Sequence, residues 1–273
     1  MSGIVLAVRD LRKVFVTKGP GGLTEHTAVN GVTFEVPAGS CLAIVGESGS
    51  GKTTTARIIA GLERPDSGEV IVQARRSGAV SRAGRRPVGA VQMVFQDPFG
   101  SLDPRQRVGS AIDEVLRQHS RSSGRERRER VLELLDQVGL DERHSRELPR
   151  HLSGGQRQRV AIARALAMEP EILILDEAVS ALDVSVQAQV LNLLIDIRKQ
   201  TEVAYVFVSH DLGVVRQISD EVVVMSNGRV VEQGLTAEVL DHPREEYTKQ
   251  LIDAIPRPGW VPRRRSAAAE PTR

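Results

Sequence analysis

Gly46-Glu47-Ser48-Gly49-Ser50-Gly51-Lys52-Thr53 fits the pattern G-x-x-x-x-G-K-[ST]. The apolar run Ser40–Val45 ahead of it predicts a buried strand, and Thr53–Gly61 behind it predicts a helix closed by Gly61. A glycine-rich turn between a strand and a helix lets backbone N–H groups curl around phosphate oxygens. The helix start adds its positive dipole end. Lys52 is then expected to reach the β- and γ-phosphates of a nucleotide, and the Thr53 hydroxyl to ligate Mg²⁺. Thr54 adds a contact nearer the α-phosphate. A plain glycine-rich turn would share the composition; the strand–loop–helix context favours nucleotide binding.

A second stretch supports this chemistry. Glu171–Leu175 is an apolar strand candidate that ends in Asp176-Glu177. Carboxylates at the C-terminal end of a strand fall where α/β sheets place their ligands. Asp176 suits Mg²⁺ binding, and Glu177 suits the role of general base for an attacking water. By itself such a strand could simply run into an acidic turn.

Outward from these motifs the chain alternates. Val32–Val36 and Gln92–Phe95 predict strands, and Pro37-Ala38-Gly39 predicts a turn between Val32–Val36 and the run Ser40–Val45. Gln73–Ala90 is polar and reads as a loop or weak hairpin. Gly109–Gln118, Arg125–Gly139 and Ser153–Met168 have helical spacing, with no strand signal among them. Beyond Pro170 come strand Ile172–Leu175, helix Val184–Gln200, strand Ala204–Ser209, helix Leu212–Ile218, strand Glu221–Ser226, turn Asn227-Gly228 and strand Arg229–Glu232. This order predicts an α/β fold with a largely parallel sheet, interrupted by a helical block. One domain is expected: residues 1–97 and 168–240 as a nucleotide-binding core, 98–167 as a helical insert, and 241–273 as a C-terminal extension with a loose tail.

Composition sets limits. The 273 residues are 40% apolar and 26% charged, which excludes a wholly disordered chain. The net charge of +2 does not by itself indicate a nucleic-acid binder. No apolar run is long enough to span a bilayer, and the first residues lack the pattern of a signal peptide, so a cytoplasmic location is expected. The single cysteine, Cys41, permits no internal disulfide and no cysteine-built metal site. Arg121–Arg130 alternates with Glu126 and Glu129 and reads as a solvated helix face. Arg263-Arg264-Arg265 could touch anionic lipid or belong to a disordered tail.

Leu152-Ser153-Gly154-Gly155-Gln156 precedes the helical run of Ser153–Met168. Ser153 is a natural N-cap, and Gly154 and Gly155 would expose N–H groups at the helix start. With the phosphate loop before it and the Asp-Glu strand after it, the chain here resembles the ATP-binding cassette family, whose signature is LSGGQ. The resemblance runs through nearly the whole chain in order. Gln96 is similar to the family's Q-loop glutamine, Ser180-Ala181-Leu182-Asp183 to its D-loop, and Ser209-His210-Asp211 to its switch histidine. It implies a P-loop NTPase (RecA-like) core, an N-terminal antiparallel β portion and an inserted helical subdomain. It further implies that Gln96 senses Mg²⁺ and the attacking water, that His210 contacts the γ-phosphate, and that Ser153, Gly154, Gly155, Gln156 and Asp183 serve a shared nucleotide interface. Phe15 lies where the family stacks an aromatic on adenine, with Val29 flanking; Phe15 stands equally well as a core position.

Gln96-Asp97-Pro98-Phe99-Gly100-Ser101-Leu102-Asp103-Pro104-Arg105 narrows the resemblance to dipeptide, oligopeptide and nickel importers. Asp103 and Pro149-Arg150-His151 depart from that pattern. What is implied is an ATPase subunit on the cytoplasmic face of the membrane, using ATP and Mg²⁺. Its partners would be two integral membrane permeases, a paralogous ATPase in a head-to-tail pair and an extracytoplasmic substrate-binding protein, with no nucleic acid. The alternative is a soluble cassette ATPase acting on DNA or the ribosome. Such proteins usually carry coiled coils, zinc modules or two cassettes per chain, and none is visible here.

Overall fold

The computed structural model describes residues 3–19, 22–74, 79–81, 89–97, 100, 102–119 and 122–254. In chain order it begins with β1 (Ile4–Gly19), β2 (Gly22–Pro37), β3 (Cys41–Val45), α1 (Lys52–Ala60), β4 (Ser67–Ala74), β5 (Ala79–Ser81) and β6 (Val91–Val94). Helices α2 (Val108–His119), α3 (Gly124–Gln137), α4 (Glu142–Arg146) and α5 (Gly154–Leu166) follow. Then come β7 (Ile172–Asp176), α6 (Val184–Thr201), β8 (Ala204–Val208), α7 (Leu212–Ile218), β9 (Glu221–Ser226) and β10 (Arg229–Leu235), with α8 (Thr236–Asp241) and α9 (Glu246–Asp253) last.

The larger sheet has the order β10-β9-β3-β8-β7-β6. Every pairing in it is parallel except β9 with β10. Its central strands are buried on both faces, so they read in sequence as unbroken apolar runs. Cys41, Ala43, Val45, Leu173, Leu175, Tyr205 and Phe207 face a core shared with α6, α7 and the helical block. Leu42, Ile44, Ile172, Ile174, Val206 and Val208 face the opposite core, which the smaller sheet and α1 complete. That smaller sheet, β2-β1-β4-β5, is antiparallel, and its β4–β5 pair supplies the hairpin allowed for in 73–90. At the tip between β9 and β10, Asn227 and Gly228 both take positive φ, as the predicted Asn-Gly turn requires.

The parallel pairing positions the site. Val94 is level with Leu175, Leu175 with Phe207, and Ile44 with Val208. The C-terminal ends of β3, β6, β7 and β8 therefore open onto one edge, where residues 46–53, Gln96, Asp176-Glu177 and Ser209-His210 begin. Between β6 and β7 the described residues form helices and no strand. Their apolar faces (Ile112, Leu116, Leu134, Leu135, Val160, Ile162) join the core beneath the parallel sheet.

Two regions received no element from the local sequence pattern. β1, with β2 the longest strand among the described residues, pairs antiparallel with it and forms the N-terminal β portion that the resemblance implies. Val5, Leu6, Ala7 and Val8 are all buried, and the register shifts around Asp10, at φ 47°, so no period of two survives. Residues 246–253, within the C-terminal extension for which no element was assigned from sequence, form α9. The tail from 255 onward, with Arg263-Arg264-Arg265, lies outside the described residues. Among the described residues no helix is long and apolar enough to cross a membrane. Arg121 also lies outside them. In the described part of that basic stretch, Arg125 pairs with Glu129 and Arg130 with Glu133, as a solvated face would.

Candidate active site

The phosphate loop wraps the start of α1. Gly46, Gly49 and Gly51 have φ of 150°, 81° and 101°, conformations that L side chains rarely adopt. Packing forbids a side chain at two of them as well. A Cβ on Gly46 would stand 2.2 Å from the Met225 carbonyl oxygen, and one on Gly51 2.2 Å from that of Ala28. The turn after β9 braces the loop from outside, through Gly228 N–H to the Ser50 carbonyl (3.1 Å). Ser50 is buried, and its hydroxyl has no hydrogen-bond partner.

The loop is folded around Lys52. Its ammonium donates to the carbonyls of Gly46 and Glu47, both at 2.8 Å. Burial lowers the Lys52 pKa below the ordinary lysine value, against the pull of Glu177 and Asp176. Thr53 Oγ1 donates to Asp176 Oδ1 at 3.2 Å, so the first helical turn and the end of β7 meet. Asp176 is buried, which raises its pKa; the Thr53 hydrogen bond opposes the rise and Glu177 adds to it. A hydroxyl and a buried carboxylate side by side form a hard-oxygen donor pair. It would hold a divalent cation, whose charge would offset the cost of burying the ionised Asp176.

Glu177 follows Asp176 in the left-handed region, at φ 49°. Its N–H donates to the Val208 carbonyl (3.0 Å), and its carboxylate lies 3.4 Å from His210 Nδ1. A non-glycine residue in this conformation stores strain of about 1–2 kcal/mol, as functional positions often do. Gln96, exposed at the end of β6, points its amide at Ser180 Oγ (3.5 Å), which in turn donates to the Glu177 carbonyl (2.9 Å). Gln96 is thus tied to the turn that carries the acid pair.

A cleft of about 220 Å³ collects Ser48, Gly49, Gly51, Lys52, Thr53 and Thr54, with Glu177 on its wall. Phe15 closes one side, its ring 5.2 Å from the Lys13 ammonium. Val29, expected to flank the base, is fully buried in the core, and Ala28 and His26 line the cleft instead. The register of β2 slips here, with Lys13 opposite Val29 and Val14 opposite Thr27, so the alternation breaks at Ala28, and Val29 keeps its side chain in the core.

The Ser153–Gln156 stretch stands apart from that cleft and lines none of it. Ser153 Oγ accepts from Gln156 N–H (3.2 Å), and Gln156 Oε1 accepts from Ser153 N–H (2.9 Å), a reciprocal cap on α5. The cap has an unforeseen support. Gln156 Nε2 lies 3.2 Å from His144 Nε2, and His144 Nδ1 lies 2.8 Å from Asp141 Oδ1. With the ring proton on Nδ1, the chain Asp141–His144–Gln156–Ser153 holds the amide in one orientation. Gly155 is buried against α6, where a Cβ would come 2.3 Å from Val186 Cγ1. Gly154 is looser, 3.6 Å from Leu182 by the same measure. Asp183 is exposed at the start of α6, outside the cleft and without a side-chain cap bond.

Three residues escaped sequence reasoning for one reason, which is that their partners are distant in sequence. These are Met225 against Gly46, His144 against Gln156, and Tyr247, whose Oη accepts from Glu47 N–H at 3.1 Å. Nothing local in the sequence around Tyr247 indicates a phosphate-loop contact.

Comparison with known proteins agrees with the geometry. A sequence profile of the ABC transporter family matches residues 29–180. The chain is 46% identical over 255 residues to the di/tripeptide transport ATP-binding protein DppF of Pseudomonas aeruginosa, covering 92% of this chain and 79% of that protein. It is 46% identical over 233 residues to the glutathione import ATP-binding protein GsiA of Salmonella paratyphi A, covering 85% of this chain but 37% of that longer protein. Among solved structures, the dimeric post-hydrolysis state of the ATP-binding cassette MJ0796, bound to ADP and Pi, superposes with a TM-score of 0.71 at 29% identity. That match covers 85% of this chain and 98% of MJ0796. The order of motifs, the cleft they build and these likenesses agree: the chain belongs to the ABC transporter family.

Proposed function

We propose that this chain is the ATP-hydrolysing subunit of an importer of short peptides, working at the cytoplasmic face of a membrane. As an ABC-family cassette it binds and hydrolyses ATP. The observation that carries the residue assignments is the single cleft in which Lys52, Thr53 and Glu177 meet, with Asp176 bonded to Thr53 behind them.

In this reading the N–H groups of residues 48–54 and the Lys52 ammonium bind the β- and γ-phosphates, and Phe15 takes the adenine. Thr53 Oγ1 and Asp176 would hold Mg²⁺, which would supply positive charge beside the phosphate oxygens. Glu177 accepts a proton from the attacking water. His210, beside Glu177, contacts the γ-phosphate, and Gln96 orients the water from the opposite edge. Ser153, Gly154, Gly155, Gln156 and Asp183 lie off this cleft. They serve a second nucleotide, held by a partner cassette in a head-to-tail pair. The division into a core (1–97 and 168–240) and a helical insert (98–167) gives each half-site its own body.

A groove of about 410 Å³ lies where the two bodies meet, between Phe95 near the end of β6, Val115 and His119 of α2, and Arg164 near the end of α5. Phe95 is 39% exposed there, which suits contact with a permease loop. Gln96 adjoins it and would relay the state of the nucleotide. The short-peptide cargo is carried over from the relatives above. The relatives give no support to action on DNA or the ribosome.

Two measurements test this. Lys52→Ala should weaken binding of a fluorescent ATP analogue at least tenfold in a folded protein, and unchanged affinity would overturn the phosphate-loop assignment. Reconstitution with permeases and a binding protein of a dipeptide importer should give ATP-dependent uptake of labelled di- and tripeptides into vesicles. Uptake of nickel chelates alone would replace peptides as the cargo.

A further inference from the structure

The phosphate loop is held at one point by a residue from the far end of the chain. Glu47 N–H donates to Tyr247 Oη at 3.1 Å, across 200 residues of sequence. We infer that Tyr247 is a positioning residue for the phosphate loop, and that its hydroxyl couples the C-terminal helix α9 to nucleotide binding. The inference rests on residues 46–53 being the nucleotide site.

Helix α9 is well placed to act as a strut. At its start, Arg244 N–H and Glu245 N–H donate to the two carboxylate oxygens of Glu232, on β10, at 2.9 and 3.2 Å. Along its length, Tyr247, Leu251 and Ile252 pack against the main core. Strand β10 pairs with β9, whose last turn already braces the loop through Gly228 and Met225. The Tyr247 hydroxyl therefore projects from a support fixed at both its end and its side.

The loop backbone at 46–47 needs such a support. The carbonyls of Gly46 and Glu47 both accept from Lys52 Nζ at 2.8 Å. An ammonium has three N–H donors. If Lys52 engages both a β- and a γ-phosphate oxygen, it must release at least one of these two carbonyls. The backbone at 46–47 can then lose a hold at one of its carbonyls. Tyr247 holds the Glu47 N–H, which shares a peptide plane with the Gly46 carbonyl, and is independent of Lys52. By linkage, a contact that keeps the loop in its binding shape raises nucleotide affinity, and nucleotide must in return steady α9.

Tyr247→Phe removes one oxygen and keeps the packed ring. A single neutral hydrogen bond contributes enough to predict ATP affinity weaker by about 2- to 10-fold. The melting temperature of the full chain without nucleotide should stay near that of the wild type, which separates positioning from stability. Hydrogen–deuterium exchange supplies the second readout. In the wild type, adding ATP should slow exchange in residues 246–253, and the Glu47 amide should be protected. In Tyr247→Phe both effects should shrink. The wild-type exchange experiment stands even if the variant folds poorly. Wild-type affinity in Tyr247→Phe, or no ATP-dependent change at 246–253 in the wild type, would overturn the inference. Failure of the nucleotide-site reading looks different, because Lys52→Ala would then bind ATP as well as the wild type.

Discussion

Glu177 combines a proposed chemical role with a backbone conformation that disfavours it, and the two can be separated by mutation. Its φ of 49° is in the left-handed region. For an L-residue this costs about 1–2 kcal/mol, which glycine escapes. Glycine instead loses about 0.5–1 kcal/mol relative to alanine through the freedom of the unfolded chain. At an ordinary position alanine is therefore the more stable of the two. At 177 the order should reverse, with Glu177→Gly more stable than Glu177→Ala by up to about 1.5 kcal/mol. Both variants remove the carboxylate, so its repulsion with Asp176 cancels in the comparison. Urea unfolding of the two proteins in one buffer measures the difference, and melting temperatures should differ by a few degrees at most. Both should hydrolyse ATP about 10²–10⁴-fold more slowly than the wild type, as loss of a general base requires. An alanine variant as stable as the glycine variant, or more so, would refute the strained geometry. Normal turnover in either would refute the role.

Two further outcomes follow from the packing and the charges. Burial raises the Asp176 pKa, so the favourable contribution of its neutral form is present below the ordinary carboxylate range and is lost as pH rises through the raised value. Asp176→Asn should therefore raise the melting temperature at pH 7, by an amount that shrinks toward about pH 4, while weakening Mg²⁺-dependent ATP binding; a melting temperature unchanged at pH 7 would count against the buried, ionised acid. At the α5–α6 contact, a Cβ on Gly155 would stand 2.3 Å from Val186 Cγ1. Gly155→Ala should cost about 1–3 kcal/mol by overpacking, Val186→Ala in the same chain should recover most of it, and additive effects in urea unfolding would refute the contact.

How far the site could be read from sequence depends on how local each signal is. Residues 46–53 carry their geometry in their own composition: three glycines with φ that only glycine takes easily, then a helix start. Gly61 and Ser153 were legible for the same reason, since a cap is a contract between residues three or four apart. The β3, β7 and β8 runs were legible because burial on both faces leaves no polar interruption. β1 was hidden by that same double burial, joined to a bulge. There the apolar run Ile4–Val8 breaks at Arg9-Asp10 and matches neither period.

The glycines of the LSGGQ stretch illustrate what remained illegible. In sequence, Gly154 and Gly155 read alike, as residues that expose backbone N–H groups to an anion. In the fold their constraints differ. Gly155 is buried against Val186 and has no room for a methyl group, whereas Gly154 stands in ordinary contact distance of Leu182. The demand on Gly155 is already met within one chain, by the packing of α5 on α6. Gly154 is under no comparable steric demand. Freedom from side-chain bulk there is useful if something approaches the exposed start of α5 from outside the chain, as the proposed head-to-tail pairing would have it. Val29, His144 and Tyr247 make the complementary point. Each has its place set by a partner distant in sequence or by a slip in strand register, and no local pattern records either.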